Sequence, residues 1–357
     1  MDKTFDITRG MNIQLFGAGV VVNATTSYVN SDTGNTEAFT GSKTLSPTMK
    51  TYYDTELLEN ARPDLIFAQF GRKQGLPANR GRTVEWRKWD TLPHAKVLQE
   101  GVIPTGEKLG QSTLTASLEQ YGLFVAISDL LELHAIDPVL LGATEELGAS
   151  AGDTKDVLIR NVLQTGTNVM FCDTVDETGT RTAVTGYAQM KADNNRLTPD
   201  MVHKADTWLK KTKTPKINGK YVAIVHPSVT YDIRNDKAWI ETHKYSATTE
   251  IFNGEIGELH GCRFVESHNA KITEQTLSGG SGMVYTTIFL GKDAYGIIDP
   301  EGGSMEMIIK DKSQAGGPLD QYSTAGYKFE DCTKIIYPER MIRVESCSEY
   351  STVDAAN

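Results

Sequence analysis

The 357 residues carry 36 Lys and Arg against 46 Asp and Glu, a net charge of −10, with 39% apolar and 23% charged residues. That balance fits an ordered protein with a sizeable core and argues against a general nucleic-acid binder, which needs a basic face to release counterions. No apolar run approaches the roughly 18–20 residues of a membrane span, the first residues do not read as a signal peptide, and the four scattered cysteines suggest free buried thiols in a reducing, cytosolic setting.

Residues 1–50 are rich in Thr, Ser, Asn and Gly without a sustained period, which predicts an extended arm ordered only against a partner. From Ser46-Pro47 the spacing of Tyr52, Leu57, Leu58 and Ala61 predicts a helical segment that Pro63 interrupts. Residues 72–96 then hold seven Lys/Arg and two Asp/Glu, a local +5 that leaves −15 on the rest. STLTASLEQ (112–120) alternates strictly, as a half-solvated strand does, and QEGVIPTGEKLG (99–110) reads as a turn-rich tip. Together these predict a long projecting β-hairpin over 72–127.

Asp137-Pro138 is a helix start, and Leu140, Ala143, Leu147, Ala151, Leu158 and Val162 continue at helical spacing, predicting a helix of roughly 40 Å. Residues 172–196 read as a polar loop. Thr198-Pro199-Asp200 opens a second helix that ends in Lys210, Lys211 and Lys213. YVAIV (221–225), the helix SVTYDIR, TTIFLG (286–291) and AYGIID (294–299) predict a compact α+β unit over 197–300. MEMIIK (305–310), KIIY (334–337) and MIRVES (341–346) are three further strands, set apart by the glycine-rich QAGGPLDQYSTAG.

Fragments that resemble chemical motifs fail on detail. Gly101, Gly106 and Lys108 approach a phosphate loop, but Glu107 takes the lysine position and Leu109 the hydroxyl position. Gly280-Ser281-Gly282 has Met283 where a nucleophile elbow needs glycine. Asp173, Asp176 and Glu177 lack calcium-loop spacing. KKTKTPKINGK (210–220) has the composition of a nucleic-acid tract, yet falls where a solvated loop joins helix to strand. His260 and Cys262, at i and i+2, would share one side of a strand; with His268 they could begin a metal site, but no fourth ligand follows. No acid, base and nucleophile assemble, so the residues point to no enzyme, no cofactor and no metal.

The order of elements resembles the Hong Kong 97-like fold of tailed-phage major capsid proteins: arm, helix, projecting hairpin, long helix, compact α+β unit and returning strands. DTELLENARPDLIFAQFGRKQGLPANRGRTVEWRKW (54–89), SDLLEL (128–133), YVAIVHPSVTYDIR (221–234) and GEIGELHGCRFVES (254–267) are similar to the N-four-like podophage capsid family, over about residues 45–350. The resemblance implies an α+β chain with an N-terminal arm (1–50), an N-terminal helical segment (51–71), an E-loop hairpin (72–127), a peripheral domain with a spine helix (128–196), an axial domain (197–300) and return strands with a C-terminal tail (301–357). It implies pentamers and hexamers of an icosahedral shell around double-stranded DNA held without sequence-specific contacts. A separate scaffolding protein, a portal and decoration proteins would be partners; the location would be the virion capsid, assembled in the host cytoplasm, with no membrane. An encapsulin-like compartment is the alternative shell, and a metal-dependent hydrolase using His260, Cys262 and His268 the enzymatic one. The expected contact residues between subunits lie on the basic hairpin: Arg80, Arg82, Trp86, Arg87, Lys88 and Trp89.

Overall fold

The computed structural model describes residues 65–357 apart from 78–80, 91, 96, 98–99, 102, 104–105, 135–138, 177–178, 237–238, 240–256, 301–304, 316–318 and 351–353. The expected arm, the helical segment before residue 65, Arg80 and the Asp137-Pro138 helix start lie outside the described residues.

In chain order the first strands are β1 (Arg72–Leu76), β2 (Thr83–Trp89), β3 (Gln111–Ser117) and β4 (Glu119–Ser128), followed by helices α1 (Asp129–His134) and α2 (Val139–Leu163). Short strands β5 (Val169–Phe171), β6 (Thr174–Val175) and β7 (Arg181–Thr182) precede α3 (Pro199–Lys211), β8 (Tyr221–Val225) and α4 (Pro227–Asn235). Then come β9 (Glu258–Leu259), β10 (Cys262–Glu266), β11 (Ile272–Leu277), β12 (Gly280–Leu290) and β13 (Tyr295–Pro300). The last elements are β14 (Glu306–Lys310), α5 (Lys312–Ala315), β15 (Tyr322–Asp331), β16 (Thr333–Ile335) and β17 (Met341–Ser346). The chain is thus α+β, as its sequence suggests.

Two compact units emerge. The described residues of the first are Leu65 and those within 119–155 and 300–331; those of the second come from 66–118, 156–299 and 332–357. In the first, β15 is the central strand of the antiparallel sheet β14-β15-β4, registered with β4 from Tyr322↔Ser128 to Asp331↔Glu119. YSTAG, expected in a glycine-rich spacer, is instead the first half of β15. Gly326 serves close packing: a Cβ there would lie 2.6 Å from Phe124 Cβ and 2.8 Å from the Leu123 carbonyl oxygen. On α2, Leu147 and Ala151 are buried and the Ser150 hydroxyl lies 3.3 Å from the Tyr327 hydroxyl.

The second unit centres on a mixed sheet ordered β5-β17-β12-β8-β10-β9, with β11 paired to β12. All five residues of β8 are buried, as expected of a continuous apolar run covered on both faces. Met201, Val202, Ala205 and Leu209 of α3 and Val229 and Ile233 of α4 fall at helical spacing and join the core around that sheet. MIRVES, expected among the returning strands, is an inner strand here, held between β5 and β12. The 172–196 stretch is more than a polar loop. Cys172, Val184 and Met190 are buried, and the buried Asn195 donates from Nδ2 to the Cys172 carbonyl (2.6 Å) while its Oδ1 accepts from the Lys191 amide (2.6 Å). All four cysteines are buried thiols outside any disulfide.

A second sheet of this unit, β1-β13-β16, lies beside the β2–β3 ribbon, and both contribute to one apolar cluster. The expected hairpin over 72–127 is therefore narrower. Among the described residues, 83–89 and 111–117 pair as strands, whereas β1 joins β13 and β4 joins β15.

Candidate assembly interface

Period-two alternation gives the β2–β3 ribbon two different faces. Val84 and Trp86 point one way, paired with Ala116 and Leu114, and pack against Ile298, Cys332 and Ile336. Glu85, Arg87 and Trp89 point the other way and are exposed. Trp86 is only 4% exposed, and its indole rests on Gly296, where a Cβ would sit 3.1 Å from Nε1. The placement of Trp86 among contact residues between subunits is corrected: its bulk is spent inside its own unit.

The cations also divide. Arg82 donates from Nε (3.2 Å) and Nη2 (2.9 Å) to the Leu118 carbonyl, and the Leu118 amide returns a bond to the Arg82 carbonyl (2.8 Å), closing the ribbon's base. Lys88 donates to Glu339 Oε1 at 2.7 Å, with its ammonium 4.8 Å from the Tyr337 ring centroid. Partial burial alone would raise the Glu339 carboxyl, but the Lys88 hydrogen bond and charge, with Arg340 nearby, hold it below the ordinary glutamate range. Arg87 faces solvent, 3.5 Å from Glu85. Of the six expected residues, the structure thus turns Arg87 and Trp89 outward, engages Arg82 and Lys88 within the chain and buries Trp86; Arg80 is not among the described residues.

Beyond the ribbon, Asp90 donates its amide to the Gly110 carbonyl (3.0 Å), and the described residues between them form neither helix nor strand. Apolar side chains there stand in solvent: Val97 is 96% and Ile103 93% exposed, and Leu92 and Leu109, with Trp89 at the end of β2, each exceed half. The charge of this region dominates its sequence and hides the apolar tip, which L-x4-V and V-I between turn residues nonetheless signal. A second exposed apolar group, Leu130, Leu131 and Leu133, lies on α1 of the other unit.

The motif fragments resolve into structure. His260 and Gly261, with φ of 50° and 83°, form the two-residue turn between β9 and β10. This corrects the shared-strand-side argument: His260 lies on the exposed turn beside His203 (ring centroids 4.7 Å apart), while Cys262 enters the core. Burial first, with Asp206 adding, pushes the Cys262 thiol up to about 12, so it is a poor nucleophile. Asp173 is engaged by Lys204. Ser281 lies within β12 and donates to Glu274 at 2.5 Å. Gly101 and Gly106 lie between antiparallel strands rather than ahead of a helix.

No family model and no curated protein matches the sequence. Solved structures do match. The capsid of cyanophage Pam1 superposes with a TM-score of 0.63 at 12% identity, covering 90% of this chain and 98% of that one. The capsid of cyanophage P-SCSP1u gives 0.61 at 13%, covering 80% and 89%, and that of Ralstonia phage GP4 gives 0.58 at 13%, covering 79% and 88%. Near-complete coverage of several such chains, at identities too low to carry more than architecture, gives this chain the α+β fold of phage capsid proteins.

Proposed function

We propose that the protein is the major capsid protein of a tailed phage, a structural subunit that assembles into pentamers and hexamers of an icosahedral head around double-stranded DNA. The observation that carries this reading, beside the shared fold, is a hairpin whose inner face is packed on its own unit and whose tip leaves five large apolar side chains without cover. Exposed apolar groups clustered on one projection mark an interaction surface. A projection that reaches onto the next copy makes heterologous contacts, which close into rings or shells. The chain works by forming interfaces and catalyses nothing. Scaffolding, portal and decoration proteins are its partners, the shell is built in the host cytoplasm, and its parts correspond to the arm, E-loop, peripheral and axial domains of the Hong Kong 97-like fold.

The test is negative-stain microscopy of the expressed protein beside a Val97→Asp/Ile103→Asp variant. Wild type should form shells, tubes or rings, and the variant should stay as folded, unassembled subunits. A wild type that stays monomeric at high concentration, or a variant that assembles normally, would sink the reading.

A further inference from the structure

The lysine tract 210–220 is left over from the shell reading. Its eleven residues hold five lysines and no acid. Lys210 is held by Asp206 (2.5 Å) and Lys220 by Glu258. Lys211, Lys213 and Lys216 are exposed and form no ion pair among the described residues; Lys216 stands 5.4 Å from the Tyr221 ring centroid. Attraction to the negative end of α3 accounts for Lys210 and Lys211 in its last turn. It does not account for Lys213 or Lys216, which lie beyond the helix.

The loop is built rather than slack. Thr214 is buried, its amide donates to the Leu209 carbonyl (3.0 Å), and its hydroxyl lies 2.9 Å from that of Thr212. The Lys292 amide donates to the Pro215 carbonyl (2.9 Å). Ile217 and Lys220 exchange both backbone bonds across Asn218-Gly219, whose φ values of 49° and 84° make a tight hairpin turn. Lys213 follows the C-cap residue Thr212, with φ of 55°. Glycine or asparagine is usual there, because a long side chain strains a backbone of positive φ. A strained backbone at a functional surface is accepted in exchange for what the side chain does.

We infer that Lys211, Lys213 and Lys216 form a phosphate-backbone contact surface for duplex DNA; this rests on the shell reading only for the presence of that DNA. No large apolar side chain is exposed between 210 and 220. That disfavours a protein partner, because protein interfaces have apolar centres depleted of lysine. Lysines are mobile point charges that meet phosphates without base readout, and Asp206, which lies near Lys216 across Gly261, is already paired with Lys210.

The probe is a short fluorescent DNA duplex, titrated with full-length subunit across a salt series. Wild type should bind with a log–log salt slope of about −0.9 per phosphate contacted, and Lys211→Gln/Lys213→Gln/Lys216→Gln should weaken binding and flatten the slope by about 2.7. Lys213→Gly removes one charge and the strain together, so it should fold at least as well as wild type while flattening the slope by about 0.9. No salt-dependent binding by wild type, or an unchanged slope in either variant, overturns the inference. So does a triple variant that binds DNA normally but no longer forms particles, which would assign the lysines to an acidic face of a second copy. Particle formation scored separately keeps the fate of the shell reading distinct.

Discussion

Replacing Trp86 and Trp89 one at a time separates stability from assembly, because these two residues, three apart on one strand, turn their side chains to opposite faces. Trp86 is 4% exposed against Ile298, Cys332 and Ile336. An indole burying 150–250 Å² at about 25 cal/mol per Å² contributes roughly 4–6 kcal/mol of transfer free energy. Its buried Nε1 finds no hydrogen-bond partner among the described residues, and deleting that orphan returns roughly 1–3 kcal/mol. Trp86→Ala should therefore cost about 3 kcal/mol, at the low end of the range for buried tryptophans. For a unit of this size that lowers the midpoint by roughly 6–12 °C. Trp89, 57% exposed, should change subunit stability by less than about 0.5 kcal/mol when truncated and yet impair particle formation. Urea and thermal melts of unassembled subunit, with particle counts by microscopy, read the two effects separately. Equal melts for the two variants, or a Trp89→Ala subunit as unstable as Trp86→Ala, would refute the two-faced ribbon.

Gly326→Ala should destabilise the first unit by about 1–3 kcal/mol, because the added methyl meets backbone at 2.8 Å on a central strand; a denaturant melt checks it. Glu345 lies fully buried in β17, and burial raises its carboxyl despite the Thr286 hydrogen bond (2.8 Å) and Arg343. A carboxyl raised in the folded state favours folding most below the ordinary glutamate value, and that contribution is lost as pH rises from there through the raised folded value. Glu345→Gln should flatten this part of the stability–pH curve, and an unchanged curve in the variant would count against it.

Elements were legible where one period dominated a segment. The run YVAIV is a strand buried on both sides, and Leu147 and Ala151 mark the packed stripe of α2. The strand at 322–331 was hidden because its Ser, Thr and Gly carry little apolar signal; what fixes it is Gly326 fitting against Phe124, some 200 residues distant in sequence. The His260 turn was hidden because alternation alone cannot reveal a positive φ. At the candidate interface the failure was different in kind. Val84 and Trp86 alternate with Glu85, Arg87 and Trp89, so parity already separates an inner from an outer face. Composition, read as a basic patch, merged them. Lys88 could not be assigned from sequence, since its partner Glu339 arrives from the far end of the chain.

The same contacts shift the weight of the proposed interface from charge to apolar area. The +5 of residues 72–96 suggested that docking is mainly electrostatic. In the folded chain Lys88 is paired with Glu339, Arg82 is bonded to the Leu118 carbonyl, and Arg87 stands beside Glu85, so these three cations are already engaged within the chain. Exposed ion pairs contribute about 0–1 kcal/mol each, whereas fully burying one Val, Leu or Ile contributes about 1.5–3 kcal/mol. Five uncovered apolar side chains at the tip therefore outweigh the remaining cations several-fold, leaving charge to orient the approach. Assembly should then survive a rise from 0.1 to roughly 1 M salt, where the screening length falls from about 10 to 3 Å. It should fail when Val97 and Ile103 become aspartate, and reversing Arg87 alone should slow assembly without abolishing it. Light scattering against salt concentration reads all three, and particles that dissolve at high salt would return the interface to electrostatics.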